Sequence, residues 1–246
     1  SEVGKTVGAM VSASIWGNPR MGAMVLTMNM SEATFSAVSG FLNNIPVYGD
    51  ELQLIKNHMG YDRLIMRCTE GIDRGRMKYD KIQKMQTWKT AYIFTGEEPC
   101  IVESSGGGAK NRVIEFECVE KVIENGNAVV NFINENYGFA GSKFVSAIAN
   151  EDLKEQYSEI LKELLEQDTT EKQAMAMACM LLGDKMACKY IYTNETPLTV
   201  SDVAVFLKTK KEVDISERAY DWVLNFVAVN NNKFQGSEFA ECWGKI

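Results

Sequence analysis

Val47-Tyr48-Gly49-Asp50-Glu51 is a short apolar run that breaks off in two adjacent carboxylates. Val and Tyr favour a strand, and Pro46 just before them fits only at the strand's first residues, because it offers no N–H to a ladder. Upstream, Gly4-Lys5-Thr6 opens a run of small and apolar residues, 7–16, that reads as a helix closed by Gly17-Asn18-Pro19. Downstream, the β-rich stretch 88–94 ends in a polar residue, Thr95. Strands alternating with helices in this way imply a mainly parallel, doubly wound sheet.

The remaining elements fit that frame. Residues 24–28 read as a short strand, and Ser31 with Glu32 opens a helix to about residue 43. A helix is expected over 52–68, with Gly60 bending or interrupting it. Residues 71–86 are polar and basic and read as a hairpin or loop. Gly106-Gly107-Gly108 reads as a flexible loop, and the alternation over 112–118 as a strand. From about Gly126 the pattern is helical to the end, with an amphipathic helix over 152–167, a methionine-rich helix capped by Thr169-Thr170-Glu171, and two more near 200–208 and 216–229. The expected organisation is an α/β core over 1–120 and a helical region over 121–246.

With 46% hydrophobic and 24% charged residues, the 246-residue chain has the composition of a folded protein rather than a disordered one. No apolar run approaches the roughly 20 residues of a membrane span and no signal peptide is present, so a cytoplasmic location is expected. The net charge of −7 argues against the whole surface attracting nucleic acid; such contact would need a local basic patch. Six scattered cysteines without a CxxC pair point to reduced thiols rather than a zinc site or disulfide framework. The single histidine, His58, has no nucleophile motif beside it.

Gly4-Lys5-Thr6 matches the last three positions of G-x-x-x-x-G-K-[ST], the phosphate-binding P-loop. There the backbone N–H groups converge on phosphates, the lysine neutralises β/γ charge and the hydroxyl ligates Mg²⁺. The first glycine of the pattern would precede Ser1, so the chain reads as starting within that loop and lacking the strand that leads into it. Asp50 and Glu51 lie where a P-loop ATPase carries its second acidic motif, the Asp holding the Mg²⁺ water shell and the Glu polarising the attacking water. The competing reading of the pair is an acidic helix start. Thr95 stands where such enzymes place a side chain that orients the water. Arg112, in Lys110-Asn111-Arg112, suits an arginine finger reaching a neighbouring subunit's site.

Taken with Ser14-Ile15-Trp16-Gly17-Asn18-Pro19, Asp50-Glu51-Leu52-Gln53, Thr87-Trp88-Lys89-Thr90, Thr95-Gly96-Glu97-Glu98-Pro99 and Asn111-Arg112-Val113-Ile114-Glu115, the chain resembles a family of bacterial proteins carried by prophages, plasmids and integrated mobile elements. Its members look like MCM-related AAA+ ATPases, some of them self-loading replicative helicases. The resemblance is looser in the helical half, at Asn136-Tyr137-Gly138, Ala140-Gly141 and Thr170-Glu171-Lys172-Gln173-Ala174. It implies a P-loop NTPase core with a C-terminal helical lid, ATP and Mg²⁺ as ligands, assembly into a homo-oligomeric ring, and translocation on DNA. It carries phosphate binding to Gly4, Lys5 and Thr6, metal to Thr6 and Asp50, and catalysis to Glu51, Thr95 and Arg112.

Within that resemblance the basic segment 73–89, with Arg74, Arg76 and Lys78 at its head, is either a channel-facing hairpin that grips the DNA backbone or a solvated loop. Met175, Met177, Met180 and Met186 read as packing of a helical bundle. Lys172 and Arg218 are both open as the lid residue that senses nucleotide. Two other readings stand beside the helicase: a remodelling AAA+ ATPase that does not act on DNA, and a truncated, inactive fragment with only a binding or assembly role.

Overall fold

The computed structural model describes residues 4–57, 59–74, 77–78, 81–82, 85–121, 123–234 and 243. Its first half is α/β. Helix α1 (Lys5–Ser14) leads to β1 (Val25–Thr27), α2 (Glu32–Leu42) and β2 (Val47–Asp50); a 3-10 turn (Leu52–Asn57) then runs into α3 (Tyr61–Glu70). A two-stranded antiparallel ribbon, β3 (Met77–Lys78) and β4 (Lys81–Ile82), precedes β5 (Tyr92–Phe94). The main sheet is parallel, in the order β1-β2-β5, with Thr27 beside Asp50 and Gly49 beside Phe94.

Both faces of this sheet are covered, so β2, the central strand, is buried along its whole length. Tyr48 points to one side, where it joins Ala13 of α1 and Val25, and its hydroxyl meets Ser12 Oγ at 3.1 Å. Met28, Phe35, Ile55 and Leu64 fill the other side under α2 and α3. The period-2 alternation of β2 therefore separates two cores.

Local chemistry sets the element ends. Ser31 Oγ accepts from Thr34 N–H and opens α2 as expected. The helix expected over 52–68 is two pieces, because Gly60 takes an extended conformation and becomes the N-cap of α3. The strand expected over 88–94 is shortened to its last residues. Trp88, 2% exposed, instead plugs the end of α3, its Nε1 donating to Cys68 O at 3.1 Å.

The second half continues with α4 (Gly107–Lys110), α5 (Gly126–Glu135), α6 (Phe139–Ile148), α7 (Leu153–Leu165) and α8 (Glu171–Tyr190). The short helices α9 (Val200–Val203) and α10 (Lys210–Val213) lead to α11 (Ile215–Val229) and α12 (Asn231–Phe234). Asp152 and Thr170 cap α7 and α8 through their side chains, the second as the sequence implies. A separate helical core joins Leu164 of α7, Met177 and Leu181 of α8 and Val203 of α9. Met177 is buried there and Met186 is buried further along α8, whereas Met175 and Met180 face outward. Among the described residues, no helix is long and apolar enough to cross a membrane.

Two sequence expectations fail at 106–118. The glycine run is not a loop: Gly107 to Lys110 form α4, which packs on α3. Its entry is fixed by Gly106 N–H donating to Asp62 Oδ2 at 2.8 Å. Residues 112–118 form no strand. The alternation is real but serves two cores, Val113 packing on the sheet side and Ile114 on the α7–α8 side. The carbonyls of Lys110 and Val113 are taken by the amide of buried Gln173, at 3.0 and 2.8 Å, instead of by a neighbouring strand.

The helical half also leans on the core. Helix α5 packs on α1, and the N–H groups of Gly138 and Gly141 donate to Ser14 O and Ile15 O at 2.7 and 3.0 Å, satisfying carbonyls at the end of α1. A Cβ at Gly141 would lie 2.6 Å from the Trp16 ring and 2.8 Å from the Ile15 carbonyl oxygen. Gly141→Ala is therefore expected to lose about 1–3 kcal/mol in chemical denaturation. An unchanged midpoint would mean that this contact is not close in solution.

Candidate functional site

The C-terminal edge of the sheet gathers the residues that the sequence singled out. Lys5 and Thr6 begin α1, Asp50 ends β2, Glu51 follows it, and Thr95 follows β5; all five line one small cleft with Gln53, Gly96 and Glu97. Parallel strands bring their C-terminal ends to one edge, so residues far apart in sequence meet there. The α1 N-cap, Gly4, has φ +85°, a left-handed conformation open to glycine. It has no side-chain cap, which leaves the first-turn N–H groups and the positive end of the helix dipole available to an anion.

Asp50 is the centre of the polar cluster and is only 8% exposed. Thr6 Oγ1 donates to it, with contacts of 3.0 and 3.2 Å to the two carboxylate oxygens, and Thr95 Oγ1 donates to Oδ1. Two hydroxyls from different elements thus meet the carboxylate. Lys5 Nζ crosses the cleft and donates to Gly96 O. Glu51 takes φ +57°, a left-handed conformation that L residues adopt at a cost, and its side chain is exposed at the cleft. Leu52 N–H to Thr95 O (2.8 Å) and Thr95 N–H to Gly49 O (2.9 Å) hold that turn against β5.

Thr6 and Asp50 supply hard oxygen donors side by side, the set that suits Mg²⁺, which keeps several waters and takes one or two protein carboxylates plus substrate phosphate. Among the described residues no group of three or more His, Cys, Asp or Glu gathers to hold a metal.

Gln53, Gly96 and Glu97 are part of the cleft and carry no role in the sequence reading. Gln53 Oε1 is buried with no hydrogen-bond partner among the described residues. Its place two residues after Glu51, on the turn leaving β2, was the one signal that marked it. Gly96 contributes only its carbonyl, which no side-chain pattern announces.

Arg112 does not join this cleft. Its Nη1 donates to Gly108 O at 2.8 Å, and the residue follows α4 rather than opening a strand. Arg74 is exposed beside the foot of the β3–β4 ribbon, its N–H donating to Asp73 Oδ1 at 2.7 Å. Arg76, His58 and Cys242 lie outside the described residues, as do the side chains of Lys78 and Arg218. Lys172 is exposed on the first turn of α8.

The buried thiols offer no competing chemistry. Burial pushes Cys68 up, and burial together with the nearby Glu115 carboxylate pushes Cys100 up to about 12. Both stay protonated, and so weakly nucleophilic, at neutral pH.

No family model matches the chain, and no curated protein matches it significantly. The functional reading therefore rests on the cleft itself.

Proposed function

We propose that this chain is the nucleotide-binding and hydrolysing core of a P-loop ATPase of AAA+, MCM-like type, from a mobile-element DNA helicase or translocase that works as a ring. The observation that carries the reading is the meeting of Lys5, Thr6, Asp50, Glu51 and Thr95 in one cleft at the C-terminal edge of a parallel sheet. Phosphoryl transfer asks little covalent work of a protein and much positioning, and the cleft supplies the parts.

In this reading the α1 amides and Lys5 bind the phosphates. Thr6 and Asp50 would hold Mg²⁺, which neutralises charge on the β- and γ-phosphate oxygens when bound. Thr95 and Glu51 orient a water. As its oxygen attacks the γ-phosphorus, Glu51 accepts its proton, and the bond to the β-phosphate breaks with its electrons going to ADP. Arg112, which does not line its own cleft, would serve a neighbour's site in this reading. The DNA component is supported by the ribbon ahead of β5 with exposed Arg74 at its foot.

The test is titration of the chain with a fluorescent ATP analogue and Mg²⁺ beside Lys5→Ala. The wild type is expected to bind, and the variant to bind at least about tenfold more weakly, the loss of a charge-assisted phosphate contact. A folded wild-type chain that binds no nucleotide would overturn the proposal. If it binds but hydrolysis is indifferent to single-stranded DNA and to Arg74→Ala, the ATPase stands and the helicase reading goes.

A further inference from the structure

Arg112 is held in place from outside the sheet. It follows α4, a single helical turn that begins with Gly107 and Gly108. Glycines have poor helix propensity, so so short a turn persists only when neighbours fix both of its ends. Asp62 fixes the first end through Gly106 N–H. The second end is fixed by the first turn of α8. There Gln173, 1% exposed, donates its amide nitrogen to Lys110 O at 3.0 Å and to Val113 O at 2.8 Å. These two carbonyls flank Asn111 and Arg112, so one side chain spans the pair. Thr170, the α8 N-cap, adds a second tie: its hydroxyl accepts from Gln173 N–H and donates to Asn111 Oδ1.

This clasp works against folding stability at one atom. Gln173 Oε1 is buried with no hydrogen-bond partner among the described residues, a loss that an apolar side chain of similar volume would avoid. What the amide supplies is a fixed path for 110–113, where no strand exists to set one. The guanidinium on that path is held but not neutralised. Arg112 Nη1 donates to Gly108 O at 2.8 Å, and among the described residues Arg112 forms no ion pair. Arg67 is the contrast, with Glu32 and Asp73 on its fork. A cation that is placed and left without a carboxylate keeps its charge for an outside anion.

We propose that Gln173, together with Thr170, is the positioning residue of Arg112. Resting on the proposed donation of Arg112 between subunits, this makes the helical half of the chain what aims the arginine at the neighbour's cleft. A guanidinium stabilises charge on a γ-phosphate only within hydrogen-bond reach, and a misplacement of about 1 Å costs on the order of 10²-fold in rate. Gln173 does not line the cleft and acts through Arg112 alone. Removing its amide therefore slows turnover in the neighbour's cleft and leaves nucleotide binding in its own cleft unchanged.

Mixed oligomers read this asymmetry. Glu51→Gln chains lack the base but carry Arg112; Arg112→Ala chains lack the arginine but carry Glu51. Each alone is expected to be slowed at least about 10²-fold. Co-assembled in equal amounts, they should regain about a quarter of wild-type phosphate release, the share of head-to-tail interfaces that pair them in the productive order. Gln173→Met, which keeps the side-chain volume and loses the donor, is then added to one chain at a time. On the Glu51→Gln chain, which donates the arginine, it is expected to cut the regained activity at least about tenfold. On the Arg112→Ala chain it is expected to leave that activity unchanged. Thr170→Val should show the same one-sided loss and Thr170→Ser none, and this pair carries the test if Gln173→Met does not fold by circular dichroism. An equal loss on both chains overturns the proposal, because a general fault in folding does not distinguish donor from acceptor. No loss on either chain overturns it as well. So does a mixture of the two parents that regains nothing, since Arg112 is then not donated between subunits. Titration of the wild type with the fluorescent ATP analogue separates these failures: binding keeps the ATPase reading while the positioning role goes, and no binding removes both.

Discussion

Replacing Glu51 with glutamine is expected to leave binding of the ATP analogue within about threefold of wild type and to lower hydrolysis about 10²–10⁴-fold, the span of a lost general base. The two effects separate because of where Glu51 sits. Its side chain is exposed at the cleft, whereas Thr6, Asp50 and Thr95 hold one another without it. The carboxamide keeps the shape of the carboxylate and loses its basicity, so ground-state binding has little reason to change. Phosphate release and analogue titration on one preparation read both quantities. Turnover unchanged in the variant would remove Glu51 from the mechanism. The backbone adds a second, opposite signature. At φ +57° a glycine relieves steric strain, so Glu51→Gly is expected to raise stability by up to about 1 kcal/mol while losing hydrolysis. A variant that is inactive and more stable is the behaviour of a strained working residue.

That strain was not legible in the sequence, although the residue was. Asp50-Glu51 at the end of an apolar run and Lys5-Thr6 at a helix start could be grouped by motif order, and they meet in the structure because parallel strands deliver their C-terminal ends to one edge. The helical second half was legible for a different reason: the amphipathic spacing over 152–167 and the Thr170 cap are local signals that act within a few residues of themselves. The errors at 106–118 are long-range. Three glycines have poor helix propensity, and nothing nearby in sequence reveals that Asp62 holds Gly106 N–H or that α3 lies beneath them. Alternation over 112–118 correctly announced two apolar faces. It could not say whether a neighbouring strand or a distant glutamine, Gln173, would take the carbonyls of Lys110 and Val113. Trp88 belongs to the same class. Its aromatic ring reads as strand-forming, but it is buried at the end of α3, where its Nε1 donates to the Cys68 carbonyl.

Arg67→Met is expected to cost about 3–5 kcal/mol, the range for breaking a buried ion pair from one side, because it leaves the largely buried Asp73 carboxylate with no cation. Arg67 lies on α3 and is only 8% exposed. Its Nη1 donates to Glu32 Oε2 at 3.2 Å, and its Nη2 to Ser36 Oγ and Asp73 Oδ1. One planar guanidinium thus ties the first turns of α2 to α3 and to the residue that starts the ribbon segment. Methionine matches the stem but satisfies none of these acceptors, and a lysine ammonium lacks the fork that reaches all three. Glu32 would keep a partner, since Arg63 Nη2 lies 2.8 Å from its Oε1. Asp73 is the group left without a cation, keeping only the Arg74 N–H, and Arg67→Met with Asp73→Asn should recover part of the loss. Urea denaturation reads the total, and hydrogen exchange at Asp73 and Trp88 reads the place, because their N–H groups bond to Gln86 O and Gly71 O across the ribbon's foot. A loss below about 1 kcal/mol would mean that water reaches these carboxylates and that the guanidinium is not what holds the ribbon. A large loss with nucleotide binding intact would separate two tasks within one domain. The cleft is held by Asp50 and its hydroxyls, and the segment that leads into the ribbon is tied to α2 and α3 by the buried Arg67.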